Sequence, residues 1–238
     1  MDELVAAVVQ LRIRLPQDRE ELEQHLVRFV RLAQTKRARV LVFPQFTGLM
    51  AAALVVKGRG AGLLKQADRA RRTNASFWTR AQAKLAGGAA GVLSADFGRA
   101  LEGMLLQQPD LLWESYASVF SDLARYHGMV VVAGTAYLED PGDRTMRHMA
   151  LVFGPDGSLL GTQAAVALTH DEHPMIEAAP TWQAIQTPVG RLGVLIGNDM
   201  LYPEAGRILA YGGAEMLIGL GAAAEPVQYH RQRLGLLA

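Results

Sequence analysis

The sequence predicts a layered, mixed α/β fold, and three observations carry that prediction. Short apolar stretches at residues 39–43 and 129–133 read as strands covered on both faces of a sheet. Residues 17–37 and 109–126 repeat their apolar side chains at helical spacing. Two pairs of apolar segments, 148–153 with 158–162 and 182–187 with 191–196, are each separated by turn residues, as the strands of hairpins are. Buried strands, hairpins and amphipathic helices together call for sheets packed under helices.

The elements follow in order. Residues 4–9, continued by Leu11 and Ile13, predict a first strand that Pro16 ends. The helix over 17–37 places Leu22, Leu26, Phe29, Val30 and Ala33 on one face, with Asp18, Glu20 and Glu21 in its first turn and Lys36 and Arg37 near its end, as the helix dipole favours. The strand over 39–43 stops at Pro44. Residues 51–107 change character, being rich in Ala, Gly and Arg. They predict helices over 63–86 and 92–107, broken at Gly87 and Gly88. Pro109 opens a helix through Trp113, Tyr116, Phe120 and Leu123 that Gly128 ends. After the 129–133 strand comes a polar turn over 139–143. The first hairpin turns at Pro155, Asp156 and Gly157, and the second at Pro188, Val189 and Gly190. Pro203 starts a helix over 203–211 closed by Gly212, followed by a strand over 214–219 and a helix over 226–237.

Composition excludes several classes. Half of the 238 residues are apolar, enough for a sizeable core. Twenty-four Lys and Arg against 23 Asp and Glu leave a net charge of +1, which does not suit a dedicated nucleic-acid binder. The chain has no cysteine, so disulfides, thiolate metal sites and cysteine nucleophiles are ruled out. No apolar run approaches the ~20 residues of a membrane span, and a cytoplasmic location is expected.

Three stretches carry a resemblance. Residues 38–46, ARVLVFPQF, are similar to a strand ending in a Pro-Glu pair. Residues 150–172, ALVFGPDGSLLGTQAAVALTHDE, are similar to a hairpin followed by a segment that carries a lysine and ends in a glutamate. Residues 190–213, GRLGVLIGNDMLYPEAGRILAYGG, are similar to a strand leading into a cysteine nucleophile, then an Asp, a Pro-Glu, an Arg and a glycine-closed helix. All three resemble the nitrilase, or carbon–nitrogen hydrolase, superfamily. The resemblance implies one αββα sandwich domain over 1–238, with 51–107 as a helical insertion and a C-terminal part shorter than in relatives. It also implies a homodimer associating through the helices over 203–211 and 226–237.

The same resemblance implies a Glu–Lys–Cys triad acting on amides and nitriles, in which a thiolate attacks, a carboxylate takes the proton and an ammonium steadies the developing charge. Carried over position by position, the glutamate falls on Gln45, the lysine on Ala165 and the cysteine on Gly197. A side-chain amide is no useful base, alanine supplies no cation and glycine no nucleophile. Glu172 stands where relatives often keep a supporting glutamate. Buried without a lysine, it is expected to have a raised pKa or to find a partner in His170 or His173.

These readings predict a non-hydrolytic binding or structural subunit with a neutral pocket suited to a small amide-like ligand, and no cofactor or metal. An alternative is an amidase with a remodelled site, using Glu172 and a water. A third reading is a partner or membrane-surface adaptor working through the insertion, where eight basic residues face one acid, Asp68, between residues 51 and 87. Asp199, Glu204 and Arg207 invite a catalytic role, but the plainer reading is that they cap the 203–211 helix and tie its loop. His170, Asp171, Glu172 and His173 offer metal-ligand chemistry without supporting helical spacing, so a solvated turn is preferred.

Overall fold

The computed structural model describes residues 4–11, 16–55, 109–170, 172–174 and 176–221. The helices expected over 63–86, 92–107 and 226–237, and the basic stretch, lie outside the described residues. The described elements run β1 (Ala6–Val8), α1 (Arg19–Thr35), β2 (Val40–Val42), α2 (Leu49–Val55), α3 (Pro109–His127), β3 (Val130–Glu139), β4 (Met146–Phe153), β5 (Leu159–Ala164), β6 (Ile185–Thr187), β7 (Gly190–Ile196), α4 (Pro203–Tyr211) and β8 (Met216–Leu220).

Two sheets form. The first has the order β1-β2-β3-β4-β5, parallel from β1 to β3 and antiparallel from β3 to β5. The second has the order β6-β7-β8, with β6 antiparallel and β8 parallel to β7. Both expected hairpins are present as β4–β5 and β6–β7.

Period-two alternation explains the layering. Leu41, Val131, Leu151 and Phe153 point to the outer face of the first sheet, where they meet α1, α2 and α3 through Leu22, Leu26, Met50, Tyr116 and Phe120. Val40, Val42, Val130, Val132, Ala150 and Val152 point the other way and meet Leu192, Val194, Ile196 and Ile218 of the second sheet. The far face of that sheet packs Leu195 against Ala205 and Leu209 of α4. The stack is therefore helix, sheet, sheet, helix.

Local chemistry sets the helix ends. Asp18 caps α1 by accepting the Glu21 N–H at 2.8 Å. Arg19 crosses from α1 to Ser118 and Asp122 of α3. The structure departs from expectation at α2, whose first described turns bury Met50, Ala51 and Ala52 in the core. It departs again at β3, which continues to Glu139 instead of ending near 133. No described helix is long and apolar enough to cross a membrane.

Candidate functional site

The reason for the longer β3 is also what positions the site. Its pairing with β4 shifts register between Val132 and Thr135, around Gly134 at φ +79°. A side chain at Gly134 would begin 2.3 Å from the Pro44 carbonyl oxygen and 2.8 Å from Thr47 Oγ1. Glycine here lets the turn after β2 lie directly on β3. The bulge also resets the alternation. Beyond it Thr135 pairs with Ala150 and Tyr137 with His148, so these side chains join the inter-sheet face.

The turn carries Gln45. Phe46, next in the chain, has φ +63°, an unusual conformation for a residue with a side chain. Its N–H donates to Thr135 Oγ1 at 2.8 Å, and Gly48 N–H donates to the Thr135 carbonyl at 3.0 Å. Opposite, β7 ends at Ile196 and gives way to a 3-10 turn, Gly197–Leu201, whose first residue has φ +55°. Among the described residues, and apart from chain neighbours, the one atom within 4 Å of where a Gly197 side chain would begin is Gln45 Nε2, at 3.3 Å.

Ala165 follows β5 and is buried. Its N–H donates to the His148 carbonyl at 2.8 Å. The next two residues are tied to the Gly197 turn by Asp199. Asp199 Oδ1 accepts from Val166 N–H at 3.1 Å and Ala167 N–H at 2.8 Å, while Oδ2 accepts from Ile196 N–H at 3.0 Å. Burial pushes this carboxyl above its ordinary value, against the pull of the Ala167, Ile196 and Val166 N–H groups. The structure thus brings Gln45 to Gly197 directly, and joins the Ala165 segment to the same turn through Asp199.

The other predicted residues separate. Asp199 ties the loop and does not cap α4, whose N-cap, Tyr202, makes no side-chain cap bond. Glu204 stands exposed in the first turn of α4, where its charge suits the dipole, and Arg207 is exposed on the same helix. His170 and His173 are exposed while Glu172 turns inward. Asp171 lies outside the described residues, and among those described no group of three His, Cys, Asp or Glu converges to hold a metal.

Glu172 corrects the expectation most clearly. Its partner is neither His170 nor His173 but His148, in the middle of β4, whose Nδ1 lies 2.8 Å from Oε1. Tyr137 O–H donates to the same oxygen at 3.2 Å, and Thr169 N–H and O–H both donate to Oε2 at 2.9 Å. Burial alone would raise the carboxyl, but the His148 hydrogen bond and charge, with the Thr169 donors, hold it at about 2. Tyr137 is pushed up by burial and by the neighbouring carboxylate. Sequence reading missed His148, Thr135 and Tyr137. One signal was available: a histidine inside an otherwise apolar strand needs a buried partner.

Chemically, the Gln45–Gly197 locus offers an amide and open backbone, without a nucleophile. Glu172 is acceptor-only when ionised, and four donors occupy its two oxygens. Two surface clefts of about 230 Å³ each lie elsewhere, one beside Asp140, Asp143 and Arg147 and the other beside Gln24, His25 and Arg28.

The carbon–nitrogen hydrolase family profile matches residues 5–235. The chain belongs to this family. Its curated relatives include the probable hydrolase YhcX of Bacillus subtilis, 28% identical over 106 residues that make up 44% of this chain and 20% of that protein. Human omega-amidase NIT2 is 28% identical over 111 residues, 43% of this chain and 40% of that protein. The chain therefore matches less than half the length of these relatives. Among solved structures, a carbon–nitrogen hydrolase from Helicobacter pylori G27 superposes with a TM-score of 0.61 at 19% identity, covering 98% of this chain and 66% of that one. Saccharomyces cerevisiae Nit3, of the nitrilase superfamily, superposes with a TM-score of 0.57 at 18% identity, covering 91% and 64%. At these identities the likeness is one of fold, the nitrilase-like αββα sandwich.

Proposed function

We propose that this chain is a non-hydrolytic member of the carbon–nitrogen hydrolase family, a binding or structural subunit whose pocket has lost the triad. Gln45, Ala165 and Gly197 stand at the triad positions. The observation that carries the reading is the Gln45–Gly197 contact. Where the family resemblance calls for a thiol, Gly197 supplies none, and among the described residues what faces it is the amide nitrogen of Gln45, at the position of the basic carboxylate. Exchanging the carboxylate and the ammonium together avoids the roughly 3–5 kcal/mol of leaving one buried charge alone.

The state of Glu172 supports the same reading over a hydrolase that works through Glu172 and a water. A carboxylate held at about 2, with four donors on its oxygens, has little tendency to take a proton from water at neutral pH. A small neutral amide is the ligand proposed, since Gln45 both donates and accepts hydrogen bonds. A dimer through α4 and residues 226–237 belongs to the same proposal, supported by Tyr202 and Tyr211, 51% and 91% exposed at the two ends of α4. A single-domain organisation with 51–107 as an insertion, and a cytoplasmic location, complete it.

The test is incubation with a panel of primary amides, nitriles and carbamoyl compounds, following ammonia release. No turnover above the blank is expected. Turnover that disappears in Glu172→Gln would establish the hydrolase reading instead.

A further inference from the structure

A chain of hydrogen bonds runs behind the candidate site. Glu172 Oε1 meets His148 Nδ1 at 2.8 Å, His148 Nε2 meets Thr135 Oγ1 at 2.7 Å, and Thr135 Oγ1 receives the Phe46 N–H at 2.8 Å. Each link constrains the next. An ionised Glu172 only accepts, so His148 Nδ1 carries a proton. Nε2 accepts from the Thr135 hydroxyl when the ring is neutral and donates to it when the ring is protonated, and in both cases an oxygen lone pair of Thr135 is left for the Phe46 N–H. The His148 ring also lies flat against Phe46, with centroids 4.9 Å apart and planes 8° from parallel, and Tyr137 packs against both rings, 4.9 Å from His148 and 5.9 Å from Phe46.

Phe46 needs such a setting. A residue with a side chain persists in the left-handed region only when its surroundings over-determine it. The Leu49 N–H donates to the Phe46 carbonyl at 3.1 Å and the Tyr137 ring lies tilted 5.9 Å away, while the hydrogen bond to the Phe46 N–H and the ring stacked on Phe46 both lead to His148. Gln45 precedes Phe46, so the conformation of Phe46 decides where the Gln45 amide points. Position 165 is alanine, and the contact to Glu172 Oε1 comes from His148 on β4, which reaches the Gln45 turn through Thr135.

We propose that His148 is the positioning residue of this site: anchored on Glu172 and acting through Thr135 and Phe46, it holds the Gln45 amide over Gly197. The proposal rests on the reading that Gln45 and Gly197 share one site, and the test separates the two. In the isotopically labelled protein, two signals are followed by NMR. One is a through-space contact between the Gln45 side-chain amide protons and the Gly197 α-protons. The other is hydrogen exchange at the Phe46 N–H.

His148→Phe keeps a flat ring against Phe46 and removes both nitrogens. It is expected to speed Phe46 exchange at least tenfold and to abolish the Gln45–Gly197 contact, whereas unchanged exchange and an intact contact overturn the proposal. Should His148→Phe not fold, Thr135→Val, nearly the same shape without the hydroxyl, carries the test. Loss of the Gln45–Gly197 contact is expected there, with recovery in Thr135→Ser, and a contact that survives in Thr135→Val overturns the proposal. If the unsubstituted protein lacks the contact, the shared-site reading fails. Phe46 exchange in His148→Phe then still decides whether His148 governs the turn.

Discussion

Glu172→Gln probes the buried centre through its dependence on pH. In the folded chain the carboxyl is held at about 2, against an ordinary 4.5, by His148 and Thr169 acting against burial. At about 1.4 kcal/mol for each tenfold change, the difference is worth roughly 3 kcal/mol. The side chain is only 10% exposed, so solvent screens little of it. Because the folded value is depressed, this stabilisation is complete above about pH 4.5 and is lost as the pH falls towards 2. By pH 3 roughly 2 kcal/mol of it is gone. A glutamine cannot follow that course. It carries no charge, and its NH₂ must face either the two Thr169 donors or the His148 and Tyr137 donors. Urea unfolding at a series of pH values should therefore show the variant less stable near neutrality, with the gap to the parent narrowing by roughly 2 kcal/mol between pH 6 and pH 3. Two curves that stay parallel over that range would refute the assignment of a low-lying, charge-paired Glu172.

Asp199→Asn leaves one acceptor oxygen where three backbone N–H groups converge, so it should cost about 1–3 kcal/mol. A thermal midpoint equal to the parent's would contradict the role given to that side chain. Gly134→Ala places a methyl 2.3 Å from the Pro44 carbonyl at a positive φ, and a loss of about 3 kcal/mol or more in denaturant unfolding is expected. Gly142→Ala, which among the described residues meets only the Asp140 side chain, at 3.3 Å, should stay within about 1 kcal/mol of the parent. Tyr116→Phe removes the buried hydroxyl that donates to the Gly134 carbonyl at 3.0 Å, and about 1 kcal/mol should go with it.

The legible parts of the fold were those whose physics is local. Short, β-branched apolar runs at 40–42 and 130–132 announced strands buried on both faces, and Pro203 with Gly212 marked both ends of α4. Leu49–Val55 was opaque because an unbroken apolar run has no polar face from which to read a period. The continuation of β3 was hidden by its own bulge, since Gly134 interrupts the alternation that Thr135 and Tyr137 resume. At the site, motif register assigns Gln45, Ala165 and Gly197 to the triad positions, and the approach of Gln45 to Gly197 could not be read from the sequence because 152 residues separate them. The partner of Glu172 could not, because His148 is 24 residues away in sequence and reaches it only through the pairing of β3, β4 and β5. Neighbours in sequence, His170 and His173, were the wrong place to look, since the turn points them outward.

The proposed function requires a scaffold on which positions 45, 165 and 197 can together form a Glu–Lys–Cys site. Restoring them together in Gln45→Glu, Ala165→Lys, Gly197→Cys gives a chain with a single thiol, since the parent has none. Intact-mass measurement after exposure to a primary amide should then show an acyl group on that thiol, absent when Gly197→Cys is introduced alone. A folded triple variant whose thiol forms no adduct and alkylates no faster than a free cysteine would contradict the claim.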